Sequence, residues 1–395
     1  MLQKGKDMSS RGFHISLTIV VFFIACWMGF SVALQKPLWG DEMYSEQTHI
    51  KACSYLKIIS GTIGEGEKAP IYFCTQKLID QIFSLNFPDH VTGNLYKDKR
   101  AQIICRISAV LSMSLAITLI FYYFTRTIGF WAGASGLLII LSTFMVWAYW
   151  AEDRVYPFWF LGTTIQALVV LWASQYKPKE LTVLSWLLSA NILLALMTPT
   201  CVLQIVAVMI WMFLTGFRKI SDYFVVCAVP FGIVFFYYHQ MQVVNGPLVF
   251  FFKFPWYKVF TANIPLERIV VLVIAGAYLC LRWLRLRATQ DHQGNLNCLS
   301  FLYIICVAGA GLLLEFKIKS GHNIAGWSME GRYFIFLAPI GIIAMTFIFT
   351  RLMQLTRSWK IKTALVLALI FLTVPRIWRY THFSYITMSP VGEIR

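Results

Sequence analysis

Apolar residues along this chain come in long blocks, separated by short charged or polar stretches. A block of about 20 apolar residues is long enough to cross the hydrocarbon layer of a membrane as a helix. A helix also keeps its backbone hydrogen bonds within the segment, which the bilayer demands. Taken in order, such blocks fall at about 13–34, 103–125, 128–149, 156–174, 181–198, 200–217, 222–240, 267–284, 298–314, 332–350 and 363–380. The pattern predicts an all-α protein: one integral membrane domain over residues 1–395, a bundle of about eleven transmembrane helices. Pro375, Arg376 and Arg379 interrupt the last block. The first follows Lys4, Lys6 and Arg11. It exceeds the roughly 7–15 residues of a secretory signal core, so it reads as a retained first helix.

The polar stretches then set an orientation. With the N-terminus in the cytoplasm, the inward loops carry Arg126, Lys177 and Lys179, Arg218 and Lys219, Arg282, Arg285 and Arg287, and Arg351, Arg357, Lys360 and Lys362. The short outward turns are poor in Lys and Arg, which fits the positive-inside rule in a single registration. Three outward segments are longer: 35–102, 241–266 and 315–331. Within the first, IYFCTQKLIDQIF places Ile71, Phe73, Cys74, Leu78 and Ile82 at helical spacing, as in a helix lying in the interface plane. The second is rich in aromatic residues and lysine, a composition suited to the headgroup layer.

Composition agrees with this picture. The chain has 395 residues, 58% hydrophobic and only 13% charged, about half the charge of a soluble domain. Its 34 Lys+Arg against 18 Asp+Glu give a net charge of +16. That excess sits largely in the inward loops, so it reads as a topology signal and not as a nucleic-acid surface. Of the nine cysteines, most lie in apolar blocks, where a thiol behaves as a small hydrophobe. Cys53 and Cys74 share the first outer segment, where a disulfide is open.

Few residues are left that can carry chemistry. Asp41 and Glu42 follow the first helix and Trp39. Adjacent carboxylates at a membrane boundary suit a general base, a metal ligand or a solvated loop start. Lys68, within Glu67-Lys68-Ala69-Pro70, precedes a helix that Pro70 can open; there it would meet a phosphate or form part of an exposed turn. Glu152, Asp153, Arg154 and Tyr156 crowd a very short outward turn, where charge must be paired or solvated in a cavity. Arg332 and Tyr333 open the tenth block after Glu330. An outward Arg runs against the usual sidedness of charge, and its planar fork suits phosphate oxygens; snorkelling is the alternative. His49, His90 and His322 match no metal-ligand spacing, and no phosphate-binding GxxxxGK[ST] loop is present. Asn191, within the fifth block, reads as a helix–helix hydrogen bond.

The order of these features resembles the GT-C glycosyltransferases, in particular the branch of protein O-mannosyltransferases and lipid A aminoarabinose transferases. The resemblance rests on Asp41-Glu42 after the first helix and Lys68-Ala69-Pro70 in the first outer segment. It also rests on the acidic-Arg-x-Tyr turn at Glu152 to Tyr156 and the late Arg332-Tyr333-Phe334 with Pro339. It implies a GT-C-like bundle with an extracytoplasmic site, a polyprenyl-phosphate sugar as donor, and a glycan, lipid or protein as acceptor. By the same resemblance Asp41 is the catalytic carboxylate with Glu42 beside it, and Lys68, Arg154 and Arg332 cradle the lipid phosphate. The family branch further implies a bacterial inner membrane. No cofactor is implied with certainty; a divalent cation stays open. The chain departs from the aminoarabinose transferases in its fewer spans and in showing no large soluble C-terminal domain.

The residue types suit such a transfer. A sugar phosphate already has a good leaving group, so the reaction needs a base on the opposite face of the sugar, which inverts the anomeric centre. It also needs cations at the departing phosphate, where preorganised charge can be worth about 3–4 kcal/mol per donor. Two other readings use the same residues: a transporter or flippase of lipid-linked sugars, and a non-catalytic membrane assembly subunit.

Overall fold

The computed structural model describes residues 2–38, 40–63, 68–85, 98–176, 178–215, 219–245, 250–251, 327–328, 335–356 and 358–382, and from residue 12 onward the side chains of most of them. It is a helical bundle. Its first helix, α1 (Leu2–Gln35), leads through α2 (Gly40–Tyr44) into a π-helical turn at Ser45–Lys51, then α3 (Tyr55–Ile59) and α4 (Pro70–Ile82). Next come α5 (Lys99–Ile104), α6 (Ile107–Thr127), α7 (Phe130–Leu141), α8 (Phe144–Tyr149) and α9 (Tyr156–Tyr176). After α10 (Glu180–Ala195), a 3-10 turn at Pro199–Cys201 leads to α11 (Val202–Thr215) and α12 (Ile220–Asn245); α13 (Leu337–Leu355) and α14 (Trp359–His382) follow later in the chain.

Among the described residues, six helices are long and apolar enough to cross a membrane, and three shorter apolar helices accompany them. They cover nine of the apolar blocks; the blocks at 267–284 and 298–314 lie outside the described residues. The many apolar side chains on the outer surface, among them Phe23, Trp27, Trp131, Phe213, Phe235 and Phe371, are what a bilayer covers, and the chain is an integral membrane protein. Helix α14 runs through Pro375, and α12 through Pro230. Apolar helices in membranes accept proline because neighbouring groups re-satisfy the freed carbonyl.

Periodicity decides which side of each helix faces in. On α1, Ile19, Phe23 and Trp27 point outward, while Ala25, Val32 and Ala33 are buried. Gly29 completes that inward stripe. A Cβ there would lie 2.7 Å from the indole nitrogen of Trp150 and 2.8 Å from Val110 Cγ1, so the small residues let α1 seat against α6. Helix α6 also packs on α7 and α9, α9 on α10 and α13, and α10 on α12. Asn191 does bridge helices: Gln166 donates to its Oδ1 at 2.7 Å, and its Nδ2 donates to the Val226 carbonyl at 3.2 Å.

Helix α4 forms with Pro70 in its first turn; it buries Tyr72, Phe73 and Gln76 against the bundle and leaves Leu78 and Ile82 facing out, as in a helix whose apolar side meets the interface layer. The second and third outer segments also touch, through a short parallel pairing of β1 (Phe250–Phe251) with β2 (Trp327–Ser328). Cys53 and Cys74 are free thiols.

Candidate functional site

Helices α6 and α9 start at the same end of the bundle, since their far ends meet where Tyr123 donates to Gln175 at 2.6 Å. At the starting end, α2, the π-helical turn, the α5–α6 junction and the α8–α9 turn converge. Their meeting point is Arg106. The helix breaks at Cys105 and Arg106, which releases the Arg106 side chain sideways toward the end of α1. There its guanidinium donates to the carbonyls of Ala33 at 3.0 Å, Pro37 at 2.9 Å and Lys36. Carbonyls at a helix end have no partner within the helix; Arg106, from another helix, supplies donors for them.

The same guanidinium grips Glu42 with two bonds, Nε to Oε1 at 3.0 Å and Nη2 to Oε2 at 2.6 Å. Neither side chain is exposed. The backbone N–H of Asp153 donates to Glu42 Oε1 at 2.7 Å, so the acidic pair after the first helix and the acidic turn before α9 are joined directly. Burial pushes the Glu42 carboxyl up, and Arg106 more than reverses this, holding it below the usual carboxylate value. Glu42 is thus an ionised, fully engaged anchor for α2. The backbone of Asp41 lies on that helix; its side chain is outside the described residues.

Other charges pack around this anchor. The Lys36 ammonium lies 3.9 Å from Glu152 Oε2 and donates to the Ala148 carbonyl at 3.2 Å. Burial lowers the Lys36 pKa, with Glu152 and Glu42 opposing. Arg154 donates to Ser45 Oγ at 2.6 Å, tying the α8–α9 turn to the π-helical turn. Tyr72 donates to Asp153 Oδ1 at 2.8 Å. Lys68 is buried and donates to the Ile63 carbonyl. Tyr156 is buried, edge-on to Tyr149 at 5.1 Å. Arg332 and Tyr333, like Glu67, lie outside the described residues.

Thus Glu42, Glu152, Asp153 and Arg154, singled out in the sequence, form one buried network. Lys36, Glu46, Tyr72, Asp80, Cys105 and Arg106 belong to its surroundings and were not singled out. Arg106 carried a readable signal, being a cation inside an apolar block, where charge is costly unless paired. Glu46 sits in the π-helical turn with Ser45, His49 and Ile50 buried. Among the described residues, the one group able to hold a metal ion is Glu46, Cys105 and Asp153.

No family model matches the chain, and no curated protein matches it. Among solved structures, the chain is similar to the apo crystal structure of ArnT from Cupriavidus metallidurans, with a TM-score of 0.48 and 15% sequence identity over 95% of this chain and 73% of that one.

Proposed function

We propose that this membrane protein is a glycosyltransferase that moves a sugar from a polyprenyl-phosphate donor to an extracytoplasmic acceptor, inverting the anomeric centre in one displacement. The observation that carries the reading is the 2.7 Å bond from the Asp153 backbone to Glu42. Two segments far apart in sequence, each chosen for its acids, meet at one boundary of an apolar bundle. Cations stand among them.

In this reading Asp41 is the general base. It takes the acceptor's proton as the new glycosidic bond forms and the sugar–phosphate bond breaks, the electron pair leaving with the phosphate. Glu42 holds α2 in place through Arg106 and so positions Asp41. Lys68, Arg154 and Arg332 offer positive charge to the phosphate oxygens, and Glu152, Asp153, Tyr156 and Tyr333 line the donor side. The acceptor is a glycan, a lipid or a protein. The basic loops support a site outside a plasma membrane, with the N-terminus in the cytoplasm.

The test is Asp41→Asn in the full-length chain. Transfer should be abolished while expression, membrane insertion and thermal stability stay at the wild-type level. Wild-type turnover in that variant overturns the mechanism. Arg332→Ala should raise the donor KM; an unchanged donor KM and turnover removes Arg332 from the cradle.

A further inference from the structure

A second group of acids packs beside the ion pairs around Glu42. Three elements bring it together: the π-helical turn supplies Glu46, the α5–α6 junction Cys105, and the α8–α9 turn Asp153. One ligand atom from each, the Cys105 sulfur and a carboxylate oxygen from Glu46 and Asp153, lies within 4.8 Å of the other two. These side chains are 1%, 0% and 0% exposed.

The orphaned oxygens are a separate observation. Glu46 Oε1 and Asp153 Oδ2 are buried and meet no hydrogen-bond partner. Leaving a buried carboxylate oxygen without a donor is costly. A cation placed among these ligand atoms would satisfy both orphaned oxygens.

We propose that Glu46, Cys105 and Asp153 form a binding site for a divalent transition-metal ion of the zinc class, with a fourth coordination position open. The donor set argues for that class. A thiolate favours zinc and its soft or borderline relatives, whereas magnesium and calcium take oxygen ligands alone. Zinc–sulfur and zinc–oxygen bonds of about 2.3 and 2.0–2.2 Å put tetrahedral ligands roughly 3.3–3.7 Å apart. The ligand atoms, all within 4.8 Å of one another, can reach that spacing by small side-chain adjustments. Tyr72 completes the arrangement: by donating to Asp153 Oδ1 it fixes the carboxylate and leaves Oδ2 for the metal, as partners of metal-bound carboxylates do. As one sulfur–metal and two oxygen–metal bonds form, the ion displaces the Cys105 thiol proton and the protons held by the Glu46 and Asp153 carboxyls, which pass to solvent. Three protein ligands and an open position are also the composition of catalytic rather than structural zinc sites. The proposal does not depend on sugar transfer.

The experiment uses the full-length protein in detergent micelles, reduced, stripped with a chelator, and titrated with cobalt(II) alone. One equivalent should bind with a thiolate-to-cobalt charge-transfer band, and one equivalent of zinc should abolish the band by competition. Cys105→Ser should lose the band, and Tyr72→Phe should keep it with about 10–100-fold weaker binding. Absence of stoichiometric binding by the wild-type protein overturns the proposal without any variant, as does a band that survives in folded Cys105→Ser.

Discussion

At one end of the bundle Arg106 and Glu42 meet at 2.6 Å with neither side chain exposed; at the other, Lys219 and Glu180 meet at 4.0 Å with 72% and 48% of their side chains exposed. The contrast runs through the surrounding charges. Lys36, Glu46, Lys68, Glu152, Asp153 and Arg154 are all buried at the first end. Arg126, Lys179 and Lys219 are not buried, and they gather with Arg351 at the second end, where a shallow cavity is lined by Thr127, Gln175, Tyr176 and Arg351. The second set matches the inward basic loops of the sequence. Such charges act on topology through their position alone and need no fixed partners. The first set is interlocked, and buried charge is retained only when paired and hydrogen-bonded. One end carries exposed, loosely held charge, and the other has the organisation of a site.

The comparison breaks most visibly at Arg106. Arg106→Met should leave the Glu42 charge buried and uncompensated, and cost about 3–5 kcal/mol in thermal or denaturant unfolding. Adding Glu42→Met should recover much of that loss, because removing both charges also removes the cost of burying them. If the double variant is as unstable as the single one, the pair does more than neutralise itself. Midway along the bundle, Asn191→Leu should cost about 0.6–1.7 kcal/mol, the range for a hydrogen bond between membrane helices. A larger loss would mean that Gln166 and Gln204, which join Asn191 and Trp159 through side-chain bonds, form a cooperative network. Lys219→Ala, at the exposed end, should change stability by less than about 0.5 kcal/mol. A loss comparable to that at Arg106 would erase the distinction between the two ends.

The same contrast explains what could be read from the sequence. The positions of the long apolar helices were legible because apolar blocks of spanning length are local signals; the six spanning and three shorter apolar helices fall on them, including the interrupted last block at Trp359–His382. Asp41-Glu42 and the turn at Glu152 to Tyr156 were legible because charges crowd them. Arg106 stood out as a cation inside an apolar block, but its partner Glu42 lies 64 positions away. Glu42 and Asp153 are separated by 111 positions. No period of 3.6 or 2 residues connects groups so distant, so their association comes only from the packing of α1, α5, α6 and α9. The inward side of α4 was hidden for a related reason. Tyr72 and Gln76 turn inward because Asp153, Ser108 and the Ile104 carbonyl supply their hydrogen bonds, and helical spacing says nothing about those partners.

The most direct test of the enzymatic account is mass spectrometry of membrane lipids and surface glycans from cells expressing the wild-type chain or the Asp41→Asn variant at matched levels. The account predicts that the variant loses one sugar from one class of acceptor while the corresponding polyprenyl-phosphate sugar accumulates. Identical sugar and lipid profiles in the two strains, or sugar carried across the membrane by the purified chain with no new glycosidic bond, would contradict it.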